Sequence, residues 1–119
     1  MLIRYKNNYE KIAMGLLSFM PDEKDVKNLQ QTIQNYETEE DWHLYLWKQE
    51  DDFIGAIGII IKDNMSAVIQ HVTVDPSHRN LGIGKQMIDK IIEKYNHKYE
   101  VIPEERISKF FHKCIQVDN

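Results

Sequence analysis

Val74-Asp75-Pro76-Ser77-His78-Arg79-Asn80-Leu81-Gly82-Ile83-Gly84-Lys85 joins a strand-like run to a helix-like one. The first turn of a helix carries amide groups without an internal partner, and the helix dipole adds positive potential there. Such an end binds anions. Gly82 and Gly84, at i and i+2, remove side chains that would hold a phosphate away from the backbone. Arg79 and Lys85 add positive charge on either side. A Walker loop would need glycine at 79 and a hydroxyl at 86, where Arg79 and Gln86 stand. A dinucleotide fingerprint would need a third glycine at 87, where Met87 stands, and would place the loop after the first strand of the fold.

Downstream, Ile83, Met87, Ile88, Ile91, Ile92 and Tyr95 fall on one stripe of a helix over 82–95, with Lys85, Gln86, Asp89, Lys90, Glu93 and Lys94 on the other. Residues 99–102 read as a short strand, Pro103 ends it, and 104–114 read as a last helix. Strand 66–74, helix 82–95 and strand 99–102 make a βαβ unit, which implies parallel strands and a right-handed crossover. Upstream, 42–49 and 53–62 complete a meander with 66–74. The run 53–62 is apolar at nearly every position, so it belongs in the middle of a sheet covered on both faces. Met1 to Tyr5 reads as a strand. Residues 9–19 read as a helix that Pro21 ends, with Asp22 as N-cap of a second helix lined by Val26, Leu29, Ile33 and Tyr36. Glu37 to Asp41 reads as an acidic, solvated loop. The expected order is β-α-α-β-β-β-α-β-α, a mixed α/β sheet in a single domain over 1–119.

Arg79-x-x-Gly82-x-Gly84, preceded by Val74-Asp75-Pro76, resembles the acyl-CoA pyrophosphate loop of the GCN5-related N-acetyltransferase (GNAT) superfamily. Pro76 three residues before Arg79, the helix that follows, the short parallel strand and Gly55-Ala56-Ile57-Gly58 in the meander extend the likeness. Glu10 to Pro21, Leu29-Gln30-Gln31-Thr32-Ile33 and Leu46-Trp47-Lys48 are similar to the small RibT-type members encoded in bacterial riboflavin operons. The resemblance implies a bacterial cytoplasmic GNAT-like fold with a βαβ acyl-CoA-binding unit. It implies acetyl-CoA as co-substrate, no metal, and transfer of an acetyl group to a small amine linked to riboflavin metabolism. The implied acetyl-CoA site is the main chain of Val72, Thr73 and Val74, for the pantetheine arm, with Arg79, Asn80, Leu81, Gly82, Ile83, Gly84 and Lys85 for the diphosphate.

Three departures from the family pattern stand out. Many members carry a tyrosine acid in a Phe-Tyr pair on the last helix. The matching pair here is Phe110-Phe111, which has no hydroxyl. Where a glutamate base often stands on the fourth strand, this chain has Gln70 and His71. Histidine is the side chain whose ordinary pKa lies nearest neutrality, which makes His71 the candidate catalytic residue. The sequence also ends a few residues after Cys114, so the terminal hairpin typical of the family is expected to be missing. The acceptor pocket is then open or walled by a second subunit, and exposed strand edges favour a homodimer. These departures keep a second reading in view, a non-catalytic acyl-CoA-binding sensor or regulatory protein.

Composition narrows the field. The chain has 119 residues, and its sixteen isoleucines and twelve aromatics supply a core rather than a disordered chain. A net charge of -4 and a pI near 5.7 argue against general nucleic-acid binding. One cysteine excludes a disulfide scaffold and points to a reducing cytoplasm. The longest apolar run, Ala56 to Ile61, is too short to span a membrane, and the N-terminus lacks a signal-peptide pattern. The five histidines show no metal-ligand spacing. Cys114 is expected as a small buried residue, and Trp42 and Trp47 as sheet packing.

Overall fold

The computed structural model describes residues 1–21, 23 and 25–116. Five strands and four helices follow in the expected order: β1 (Leu2–Arg4), α1 (Glu10–Leu17), α2 (Val26–Thr38), β2 (Trp42–Gln49), β3 (Asp52–Lys62), β4 (Ser66–Val74), α3 (Ile83–Tyr95), β5 (Glu100–Pro103) and α4 (Glu105–Gln116). One sheet runs β1-β2-β3-β4-β5. The first four strands are antiparallel, and β5 joins β4 in parallel. The central place of β3 follows from its sequence, because it is covered on both faces. Ile57, Ile59 and Ile69 pack with Met87, Ile88, Ile91, Ile107 and Phe111 of α3 and α4. On the other face Leu44, Leu46 and Ala56 pack with Ala13, Leu16, Leu17, Leu29, Ile33 and Tyr36 of α1 and α2.

The boundaries differ from expectation in four places. A 3-10 turn at Asn7–Tyr9 precedes α1, which ends at Leu17 rather than 19. The N-cap of α2 is Asp25, whose carboxylate accepts the Lys27 N–H at 2.8 Å; Asp22 lies outside the described residues. The acidic loop is shorter than expected, because α2 carries on through Thr38. Pro103 is the last residue of β5, opposite Ile69, rather than the residue that follows it. An edge strand tolerates proline there because its outer side needs no N–H.

Candidate functional site

A cavity of about 700 Å³ runs beside the end of β4, between the start of α3, one face of α4 and the α1–α2 connection. Nine of the ten residues expected to hold the carrier line it: Val72, Thr73, Val74, Arg79, Asn80, Gly82, Ile83, Gly84 and Lys85. The tenth, Leu81, does not; its side chain points to solvent and the residue is 62% exposed. The loop is therefore gathered by its backbone, with Leu81 at its outer turn.

Local chemistry shapes this loop. Asp75 turns the chain after β4: its carboxylate accepts the Ser77 N–H at 2.9 Å and the Ser77 hydroxyl at 2.7 Å. These bonds hold the Asp75 carboxyl below the usual carboxylate range. Asn80 and Gly82 both adopt left-handed backbone, at φ 67 and 80. Gly82 is the N-cap of α3, and the first bond inside that helix is from Gln86 N–H to the Gly82 carbonyl. The amides of Ile83 and Gly84 lie ahead of that bond, at the positive end of the helix. Arg79 folds back so that its Nε donates to the Val74 carbonyl at 3.2 Å, tying the two ends of the loop together. Lys85 lines the cavity and pairs with Asp89 one turn on, at 2.7 Å.

The free edge of β4 is made by a one-residue bulge. His71 stands opposite Gly58 and Ile69 opposite Ile59, which leaves Gln70 as the extra residue. A bulge reverses the alternation of a strand beyond it. Before it, the Met65 and Ile69 carbonyls face β5 and accept the Glu100 and Glu104 amides. After it, Thr73 turns its main chain toward β3, as the Asp75 N–H bond to the Ile54 carbonyl fixes two residues on. Val72 and Val74 turn theirs to the opposite edge. Pairing with β5 has already ended at Ile69, so that edge opens on the cavity. Thr73 thus departs from the expected set: its main chain is spent within the sheet, and its side chain is what the cavity meets.

The bulge also turns His71 toward α2, where it is 3% exposed. Nδ1 lies 2.6 Å from the Tyr36 hydroxyl and Nε2 3.1 Å from a Glu23 carboxylate oxygen. The Glu23 carboxylate can only accept, so Nε2 carries the hydrogen given to it and Nδ1 accepts from the Tyr36 phenol, whose pKa burial pushes well above its ordinary value. The bond from Nε2, aided by Arg106 at 3.7 Å, holds the Glu23 carboxyl below the usual range. Arg106 in turn donates to the Gln70 carbonyl at 3.1 Å and to Glu104 at 3.0 Å. Both nitrogens of His71 are engaged, and the ring reaches the cavity through Glu23 and Arg106.

The sequence reading missed the far wall. Arg106, Ile107, Phe110, Lys113 and Cys114 line the cavity from α4, and Phe19, Met20 and Pro21 line it from the α1–α2 connection. The α4 set follows i, i+3 and i+4 spacing, a signal present in the sequence but not tied there to the loop. Within the Phe110-Phe111 pair, Phe110 faces the cavity and lies over Gly84, where an added Cβ would meet its ring. Phe111 is 5% exposed and belongs to the core. Cys114 is buried as expected, and burial pushes its thiol pKa up. Trp47 packs in the core beneath α3, and Trp42 against Tyr36. Among the described residues no three His, Cys, Asp or Glu side chains are grouped to hold a metal, and no helix is long and apolar enough to cross a membrane.

Comparison with known proteins adds an independent line. Residues 10–114 match the model of the acetyltransferase (GNAT) family. The chain is 55% identical over 114 residues to an uncharacterised N-acetyltransferase encoded in the lysA 3' region of Bacillus methanolicus, covering 96% of this chain and 94% of that one. Its fold is similar to that of a GNAT family acetyltransferase from Elizabethkingia anophelis, solved with acetyl-CoA bound: TM-score 0.74, 20% identity, 100% of this chain and 74% of that one. It is also similar to that of a possible acetyltransferase from Clostridium difficile 630: TM-score 0.77, 15% identity, 98% and 88%.

Proposed function

Because the chain belongs to the acetyltransferase (GNAT) family, we propose that it transfers the acetyl group of acetyl-CoA to the nitrogen of a small amine. The observation that carries this reading is that one cavity is edged by both the α3 N-terminus and the main chain of Val72 and Val74, with Arg79 on the Val74 carbonyl. The Gly82–Lys85 amides with Arg79 hold the diphosphate, and Lys113 adds charge across from them. Val72 pairs with the amide groups of the pantetheine arm, and Val74 joins it once Arg79 moves from the Val74 carbonyl to the diphosphate, which points the thioester at the notch where β4 and β5 part. There the amine attacks the thioester carbon, a C–N bond forms, the C–S bond breaks, and CoA leaves as thiolate. The nitrogen loses one proton. The departing CoA thiolate takes up that proton, while His71, the expected base, has its Nε2–H on Glu23 and its one lone-pair nitrogen on Tyr36 and so orders Glu23 from behind the site. The protein's contribution is chiefly positioning.

Calorimetry with acetyl-CoA, followed by thiol release against a panel of amines, tests the reading. Carrier binding with amine-dependent release supports it, and absence of carrier binding overturns it. The lack of a hydroxyl on Phe110 and Phe111 favours the second reading, a non-catalytic acyl-CoA-binding sensor or regulator, for which acetyl-CoA would bind without thiol release. A link to riboflavin metabolism rests on the likeness of Glu10 to Pro21 and the segments quoted with it. Flavin precursors that carry an amine therefore belong in the panel. A homodimer is supported by β5, a four-residue edge strand paired on one side only. Light scattering at assay concentration checks it, and a mass near the 14.2 kDa of one chain would exclude it.

A further inference from the structure

Thr73 has lost one role and gained the position for another. Its main chain faces β3, while its side chain, directly across from Ala56, shares the α1–α2 face of the sheet. The carrier edge formed by Val72 and Val74 lies toward α3 and α4, where both side chains pack. Thr73 therefore lines the cavity from the face of the strand opposite to Val72 and Val74.

The residue is 6% exposed, yet its hydroxyl makes no hydrogen bond among the described residues. No sealed side-chain oxygen or nitrogen among those residues lacks a partner, so the Thr73 oxygen is open to the cavity rather than entombed. A hydroxyl this enclosed and without a partner costs stability relative to valine, which has the same β-branched shape and suits a strand equally well. Its use must come from something that enters the cavity.

We infer that Thr73 is a specificity residue of the acceptor subsite, its Oγ1 accepting a hydrogen bond from the N–H of the incoming amine. The inference rests on the acetyl-CoA reading above and deepens it. A thioester delivered along Val72 and Val74 is met by a nucleophile from the opposite face of β4, and Thr73 is the residue between those two valines that faces that way. An amine held by one N–H has its lone pair directed elsewhere, toward the carbon it attacks. The acceptor class is thus one with an N–H to give, a primary or secondary amine. The hydroxyl of a threonine is far too weak a base to take the proton, so its role is orientation.

The test uses bisubstrate probes. Coenzyme A alkylated on sulfur with –CH2–CO–NH–butyl carries an amide N–H where the amine nitrogen would be; the N-methyl-N-butyl version lacks it. Calorimetry on the wild-type chain should show the first probe binding about 5–10-fold tighter than the second, the difference one hydrogen bond makes. That preference should vanish in Thr73→Val and persist in Thr73→Ser, with affinity for CoA itself equal within about twofold in all three. Equal affinity of the two probes for the wild-type chain overturns the inference even if the valine variant does not fold. A preference that persists in Thr73→Val, or a secondary amide probe bound more weakly than CoA, overturns it too. If the wild-type chain binds CoA but shows no preference, only the threonine assignment fails. If it binds neither CoA nor either probe, the acetyl-CoA reading fails first and this inference with it.

Discussion

At position 82 nothing stands within 4 Å of where a Cβ would be, yet the backbone lies at φ 80, where L side chains are strained. At position 84 the backbone is ordinary helix, and the space above it belongs to the Phe110 ring. The two glycines therefore fail differently. Gly82→Ala should cost about 1 kcal/mol of stability through conformation alone, read from the urea denaturation midpoint. Gly84→Glu should abolish acetyl-CoA binding by bulk and charge while leaving the far-UV circular dichroism unchanged, because Phe110 is 40% exposed and its ring can swing aside. A third glycine has a different purpose. A Cβ at Gly58 would run into the Tyr36 hydroxyl, so Gly58→Ala should cost about 2 kcal/mol and displace Tyr36 from His71. Both glycines of the loop were legible in the sequence as close-approach positions, but not that one is needed for its backbone and the other for space. Nor was the partner of Gly58, since a contact between β3 and α2 leaves no local pattern.

The Glu23 carboxyl is held low by His71 first and by Arg106. A carboxyl with a depressed folded pKa contributes stability above its unfolded pKa, and that stability is lost as pH falls through the folded value. Thermal unfolding followed from pH 6 down to pH 3 should therefore show a steeper loss for the wild-type chain than for Glu23→Gln. Equal slopes would mean that this contact contributes nothing to acid stability.

Among the elements, β4 decides the site, and it was only half legible. Its bounds, 66–74, were readable because Ala67, Val68 and Ile69 form a short apolar run that follows the Asp63-Asn64 turn. The bulge at Gln70 was not, because a Gln-His pair inside a strand reads the same with or without an extra residue. Everything downstream inherits that slip: which of Val72, Thr73 and Val74 offers main chain, and which face His71 takes. The α4 helix shows the same limit. Its helical period was plain, whereas its approach to the α3 N-terminus depends on the intervening β5. Lys113 arrives at the loop by that route. Lys113→Ala should weaken acetyl-CoA binding about 3-fold at 50 mM salt and less at 500 mM, since exposed charge is screened. An effect independent of salt would assign it to packing instead.

Across the whole molecule, the two helical layers serve opposite faces of one strand edge. The α3–α4 layer carries the loop and the far wall of the cavity, with Met20 packed against that layer, and the α1–α2 layer brings the Glu23–His71 contact to the other side. The Cα radius of gyration, 13.4 Å, equals the ~13.5 Å expected for a folded chain of this length. That arrangement was legible as a fold from the βαβ unit and the meander. The wall formed by Phe19, Met20 and Pro21 was not, because it is a connection with no periodicity to read. The most direct test of the central claim is an amide chemical-shift titration of the 15N-labelled chain with acetyl-CoA. The largest shifts should fall on the amides of Gly82, Ile83 and Gly84 and on Val72 and Val74. Shifts confined to other surfaces, or none at millimolar carrier, would contradict it.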